Sequence, residues 1–139
     1  MIVLDTSFLF ALLDRNEPHH QTASAWYLGA EHETGTTPLV LGEMDYLTGS
    51  RSGARVRTLF REDVERGAYL VAWWPEATGQ CVRIAERYRE LGVSLTDASL
   101  VALAARVGTT EIATFDERHF RAIQPLSHGT SFQLLPADA

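Results

Sequence analysis

Short apolar runs of strand length alternate with stretches of helical period along the chain, and this alternation constrains the fold more than any other feature. Ile2 to Leu4 suits a buried parallel strand, and Thr6 follows as the N-cap of a helix through Leu13. After a polar turn, Pro18 to Tyr27 reads as a second helix. Thr36-Thr37-Pro38 then leads into a third, through about Leu47, with Pro38 near its first turn. Gly53 to Gly67 is a polar amphipathic helix, and Tyr69 to Trp74 is a strand-like run stopped by Pro75. Glu76 to Leu91 has helical period and ends before Gly92, and Thr96 caps a helix to Val107 before Gly108. Glu111 to Phe115 is a strand, Glu117 to Ala122 a short helical turn, and Ser131 to Leu135 a closing strand. The pattern predicts an α/β fold: a central, mainly parallel sheet flanked by helices, with ligand chemistry at the carboxyl ends of its strands.

At 139 residues, 45% of them hydrophobic, the chain is long enough to bury its own core, and residues 1–139 read as one domain. Cys81 is the only cysteine, so an intrachain disulfide is impossible. The apolar opening has no basic residue ahead of it and is interrupted by Asp5, unlike a signal peptide. No run approaches membrane-spanning length, so the expected location is the cytoplasm, with no membrane partner. The net charge of −6 runs against a phosphate-binding surface made of protein cations. It does not run against a site where carboxylates hold a metal that meets the phosphate.

Four acids stand where such a site would form. Asp5 ends the first strand, a position that serves equally as a helix cap or as a site residue. Glu43 shares a helical face with Leu39, Val40 and Leu47, which predicts a charge inside the buried stripe, needing either an arginine or a metal. Asp45 turns about 200° away, toward solvent. Asp97 sits in a helical first turn, where the dipole favours it. It also leads a face continued by Leu100, Val101, Ala104 and Ala105, which the dipole does not explain. Asp116 follows Ile112-Ala113-Thr114-Phe115 at another strand exit, where a turn aspartate is the plainer reading. If the acids converge, each pair about 5 Å apart repels by about 3 kcal/mol at an effective dielectric near 20, and a cation relieves it. All-oxygen ligands suit Mg²⁺ or Mn²⁺ rather than zinc.

At these residues the sequence resembles the PIN-domain nucleases, in particular the VapC toxins of toxin–antitoxin pairs. The matching pieces, in order, are Ile2-Val3-Leu4-Asp5-Thr6-Ser7; Leu41-Gly42-Glu43-Met44-Asp45-Tyr46-Leu47; Leu95 to Ala104 around Asp97; and Thr114-Phe115-Asp116-Glu117-Arg118-His119-Phe120. The resemblance implies a single PIN-like domain with Mg²⁺-dependent endoribonuclease activity, a cognate VapB-type antitoxin and a homodimer. It implies that Asp5, Glu43, Asp97 and Asp116 are the acidic positions, with Asp5 and Asp97 direct ligands and Glu43 orienting water. Thr6 and Thr114 match hydroxyl positions beside them. The segment from Gly49 to Leu91 carries no matching family motif.

The remaining candidates weigh less. Arg118, His119 and Arg121 lie close to Asp116 in sequence and are candidates for contacting RNA. Arg51, Arg55, Arg57 and Arg61 read as a solvated face interleaved with acids, in preference to a phosphate track. His19-His20 reads as a loop; Cys81, Trp73 and Trp74 read as core. Two rival functions compete with the nuclease: a Mg²⁺-dependent phosphatase-like enzyme, and a PIN-like module that binds RNA or antitoxin without cleaving. The first normally uses a lysine, which this chain lacks, and wants an aspartate where Ser7 stands. The second gains nothing from self-repelling carboxylates.

Overall fold

The computed structural model describes residues 1–29 and 31–139. Among the described residues five short strands, β1 (Ile2–Leu4), β2 (Thr34–Thr36), β3 (Leu70–Val71), β4 (Glu111–Ala113) and β5 (Gln133–Leu135), form one sheet in the order β3-β2-β1-β4-β5. Every neighbouring pair is parallel. The helices are α1 (Thr6–Leu13), α2 (His20–Gly29), α3 (Pro38–Leu47), α4 (Ala54–Glu65), α5 (Ala77–Arg87), α6 (Leu95–Val107) and α7 (Glu117–Ala122). A π-helical turn, Thr48–Ser52, joins α3 to α4, and a 3-10 turn, Arg89–Leu91, follows α5. Among the described residues, no helix is long and apolar enough to cross a membrane.

Strand β1 is central and wholly buried, as a continuous apolar run in a parallel sheet requires. Phe8 and Leu9 of α1, Met44 of α3, Leu100 and Leu103 of α6 and Phe120 of α7 complete the core and are fully buried. From β1 the chain builds outward through β2 and β3, then returns to lay β4 and β5 on the other side. The order therefore reverses between β1 and β4, and side chains leaving the carboxyl ends of these two strands enter one crevice. Leu4 pairs with Ala113, and the Asp5 N–H donates to the Ala113 carbonyl at 3.0 Å, so Asp5 and Thr114 emerge side by side.

The elements depart from expectation in several places. Thr34–Thr36 has no strand-like pattern in the sequence, yet it pairs with β1 and β3, and the Thr36 hydroxyl donates to the Leu4 carbonyl at 2.8 Å. The run from Tyr69 to Trp74 shrinks to a two-residue edge strand, where Leu70 is exposed. Trp74 is core as expected, but Trp73, two residues past the edge strand β3, is 40% exposed. The N-cap of α1 is Asp5 rather than Thr6, and that of α6 is Ser94 rather than Thr96. Cys81 is buried, and His20 opens α2 with its Nδ1 2.7 Å from the Ala11 carbonyl.

Candidate functional site

Asp5 lies at the floor of the crevice and is 4% exposed. Its Oδ1 accepts from the Thr6 N–H at 2.8 Å, capping α1, so the cap and site readings of this residue hold together. Its Oδ2 accepts from the Ser7 hydroxyl at 2.9 Å and the Thr114 hydroxyl at 2.7 Å. Those hydroxyls fasten the far strand exit as well: Ser7 Oγ accepts from the Phe115 N–H and Thr114 Oγ1 from the Asp116 N–H, each at 2.9 Å. Burial pushes the Asp5 carboxyl up to about 6, and the charge of Asp97 adds to the rise; the bonds from Thr114, Ser7 and Thr6 oppose it. Asp5 is thus held rigidly, short of positive charge.

Asp97 is brought to the same crevice by the first turn of α6. Ser94 caps that helix by accepting from the Asp97 N–H at 3.0 Å. The Asp97 side chain is 15% exposed, and its Oδ2 lies 2.7 Å from His119 Nδ1. Glu43 accepts from the Thr6 hydroxyl at 3.2 Å. The expectation that Glu43 lies inside a buried stripe is corrected: it is exposed. The buried line of α3 runs through Val40, Met44 and then Thr48, and Glu43 sits one position off it, on the flank that borders the crevice. Asp116 is exposed at the rim, its backbone held by Thr114.

The four acids line one hollow of about 560 Å³, together with Glu17, Arg51, His19 and His119. Of the three residues expected to contact RNA, His119 lines it; Arg118 and Arg121 do not. Arg121 is spent on Glu117 and Asp138, and burdened with both it stays firmly protonated. Arg51 is solvent-exposed, as expected, and the π-helical turn also brings it to the hollow, with its guanidinium 5.9 Å from the centre of the Phe10 ring. Among the described residues it forms no ion pair, despite five carboxylates around the same space. Ser7 is a further support that the sequence does not announce, since a hydroxyl beside a helix start carries no distinctive signal. His19, expected as loop, stacks flat on Phe115 at 4.3 Å between ring centres and walls the hollow.

The donor set fits a hard divalent cation. None of Asp5, Glu43, Asp97 or Asp116 is paired with an arginine among the described residues; Asp97 alone has a basic partner, His119. The acids share the hollow without forming a tight cage: among the described residues, no three His, Cys, Asp or Glu side chains gather closely enough to hold an ion by themselves. That spread suits Mg²⁺, which takes one or two carboxylates and keeps much of its water.

Comparison with known proteins agrees with this architecture. The family model described as PIN domain matches residues 2–124. Ribonuclease VapC26 of Mycobacterium tuberculosis is 32% identical over 136 residues, spanning 97% of this chain and 100% of that protein. The crystal structure of Mycobacterium tuberculosis VapC20, described as a Sarcin-Ricin loop cleaving toxin, superposes with a TM-score of 0.78 at 26% identity, covering 84% of this chain and 90% of that one. VapBC2 from Rickettsia felis, bound to a DNA fragment from their promoter, shares the fold at 14% identity (TM-score 0.62, 91% of this chain and 96% of that one). A continuous match over most of the chain, with the crevice at the expected switch in strand order, makes this protein a member of the PIN-domain family, in its VapC branch.

Proposed function

We propose that the protein is a metal-dependent endoribonuclease, the toxin of a VapBC-type pair, which hydrolyses RNA phosphodiester bonds with Mg²⁺ or Mn²⁺. The observation that carries this reading is the hollow at the β1/β4 switch, lined by five carboxylates, none of them ion-paired to an arginine among the described residues. The names and similarity of VapC26 and VapC20 supply the substrate class. Asp5 and Asp97 would ligate the ion directly, Asp116 would complete the shell or hold a second ion, and Glu43 at the rim would orient the attacking water. A bound divalent cation would neutralise charge on the phosphate and acidify that water.

The chain's own residues do the positioning. Thr114 and Ser7 lock the Asp5 carboxylate from behind, leaving it no freedom to turn away. Thr6 holds Glu43, and the Ser94 cap with His119 fixes Asp97. Arg51 and His119 offer donors to phosphate oxygens at the wall of an otherwise acidic hollow. Similarity to VapC proteins supports a VapB-type antitoxin as partner, and the chain is proposed to act as a homodimer. Purified protein incubated with total RNA should cleave in Mg²⁺ and not in EDTA, and Asp97→Asn should lose cleavage while melting like the wild type. RNA binding without cleavage in any divalent cation would replace the enzyme with a binding module.

A further inference from the structure

A second hollow, of about 550 Å³, opens between α5, the last turns of α6 and Leu126, and shares no lining residue with the acidic one. Asp97 of the first hollow and Arg106 of the second stand nine residues apart on α6, roughly 13 Å along its axis. The floor is apolar, made by the buried Trp74, Ile84 and Ala102. The wall carries Arg83 and Arg87, one turn apart on α5, facing Arg106 on α6. Among the described residues none of these three guanidinium groups is ion-paired, although Glu76 borders the same space. The helix dipole accounts for Arg87 and Arg106, which sit in last turns, but not for Arg83, nor for three cations meeting over an apolar floor in a chain of net charge −6.

We infer that this hollow docks an acidic segment of a partner protein, whose aliphatic or aromatic side chain fills the apolar floor while Asp or Glu carboxylates engage Arg83, Arg87 and Arg106. Guanidinium forks take carboxylates in bidentate fashion, and the volume suits one large side chain with its neighbours. The surrounding negative charge steers an acidic segment away from the rest of the surface and toward this rim. RNA fits it less well. Trp74 is 6% exposed, Arg106 lies 5.6 Å from its ring centre, and its Nε1 donates to Gln80, so no open ring face remains for a base to stack on. Phosphates, moreover, bring nothing apolar to the floor. Docking here requires no nuclease activity at the other hollow.

The probe is an acetylated, amidated peptide of sequence Asp-Glu-Leu-Phe-Asp-Glu, titrated into the full chain by calorimetry and tryptophan fluorescence, beside its Asn/Gln counterpart. Saturable binding is expected for the acidic peptide, roughly tenfold weaker for the neutral one, and roughly tenfold weaker again when Arg83, Arg87 and Arg106 are all replaced by glutamine. The pair Arg83→Gln and Arg87→Gln, which keeps the Arg106–Trp74 contact, should lose about threefold and melt like the wild type. RNA cleavage should be unchanged in both variants. Equal binding by wild type and variants, or no saturable binding, overturns the proposal. So does a variant that keeps the peptide but loses a single-stranded RNA 12-mer, which assigns the hollow to nucleic acid. A change in sedimenting mass overturns it in favour of a second copy of this chain.

Discussion

Asp5 has two opposing demands on it, from its hydrogen bonds and from its burial beside Asp97. Three hydrogen bonds stabilise its charged form, yet burial and the charge of Asp97 outweigh them and hold the carboxyl at about 6. In the unfolded chain the group titrates near 3.8, so the folded protein binds this proton more tightly. The stability that follows is present in full below about pH 4 and is lost as pH rises through 6, amounting to about 3 kcal/mol by pH 7. Asparagine keeps the shape and carries no charge; its NH₂ donates where one carboxylate oxygen accepts, a cost that does not vary with pH. In EDTA, the urea unfolding free energy of Asp5→Asn should therefore gain on the wild type by about 3 kcal/mol between pH 4 and pH 7, while RNA cleavage is lost. A difference that stays flat across that range would mean Asp5 is not strained. Arg51 makes a second, separate claim. In an Asp97→Asn background, where RNA binds without turnover, Arg51→Ala should flatten the slope of log affinity against log salt by about 0.7 to 0.9. An unaltered slope would take Arg51 out of the RNA path.

Helix α6 shows how one capping hydroxyl serves both fold and site. Ser94 accepts from the N–H of Asp97, so the bond that ends the helix also sets the backbone of a proposed ligand. Ser94→Ala should cost about 1 kcal/mol in urea unfolding and weaken Mg²⁺ binding, with Ser94→Thr restoring much of both. Loss of stability with unchanged Mg²⁺ affinity would leave the cap a purely structural role. The acids at strand exits were legible in the sequence because a charge directly after an apolar run marks where a buried strand leaves the core, and β1 and β4 deliver Asp5 and Asp116 as that pattern implies. Strand β2 was not legible: Thr34-Gly35-Thr36 has no apolar run, and it becomes a strand only because β1 and β3 pair with its backbone. Glu43 was found as a residue and misplaced in environment, since an apolar pattern reads two lines on α3 and packing chooses the one through Val40 and Met44. Arg51 was hidden for a different reason. Its seat depends on a π-helical turn and on Phe10, forty-one positions earlier, neither of which local periodicity records.

On the proposed function, a chain with 18 acids against 12 arginines approaches a polyanion, and the charge map shows how that burden is divided. Several acids outside the hollow are tied to arginines: Asp45 to Arg61, Asp63 to Arg66, and Glu117 and Asp138 to Arg121. Among the described residues the acids of the hollow have no arginine partner, so the negative potential that would oppose RNA is concentrated where the proposed divalent cation would bind. A cation that binds only the folded state stabilises it by about 2.7 kcal/mol at a hundredfold excess over its dissociation constant. Its affinity should fall as Asp5 takes up a proton through pH 6. Mg²⁺ should thus raise the melting temperature at pH 7.5 by several degrees over NaCl of equal ionic strength, and the excess should largely vanish near pH 5. If NaCl reproduces the shift at pH 7.5, the effect is diffuse screening of a charged surface. The hollow then binds no specific ion, and its acids would need another reason to stand unpaired around one space.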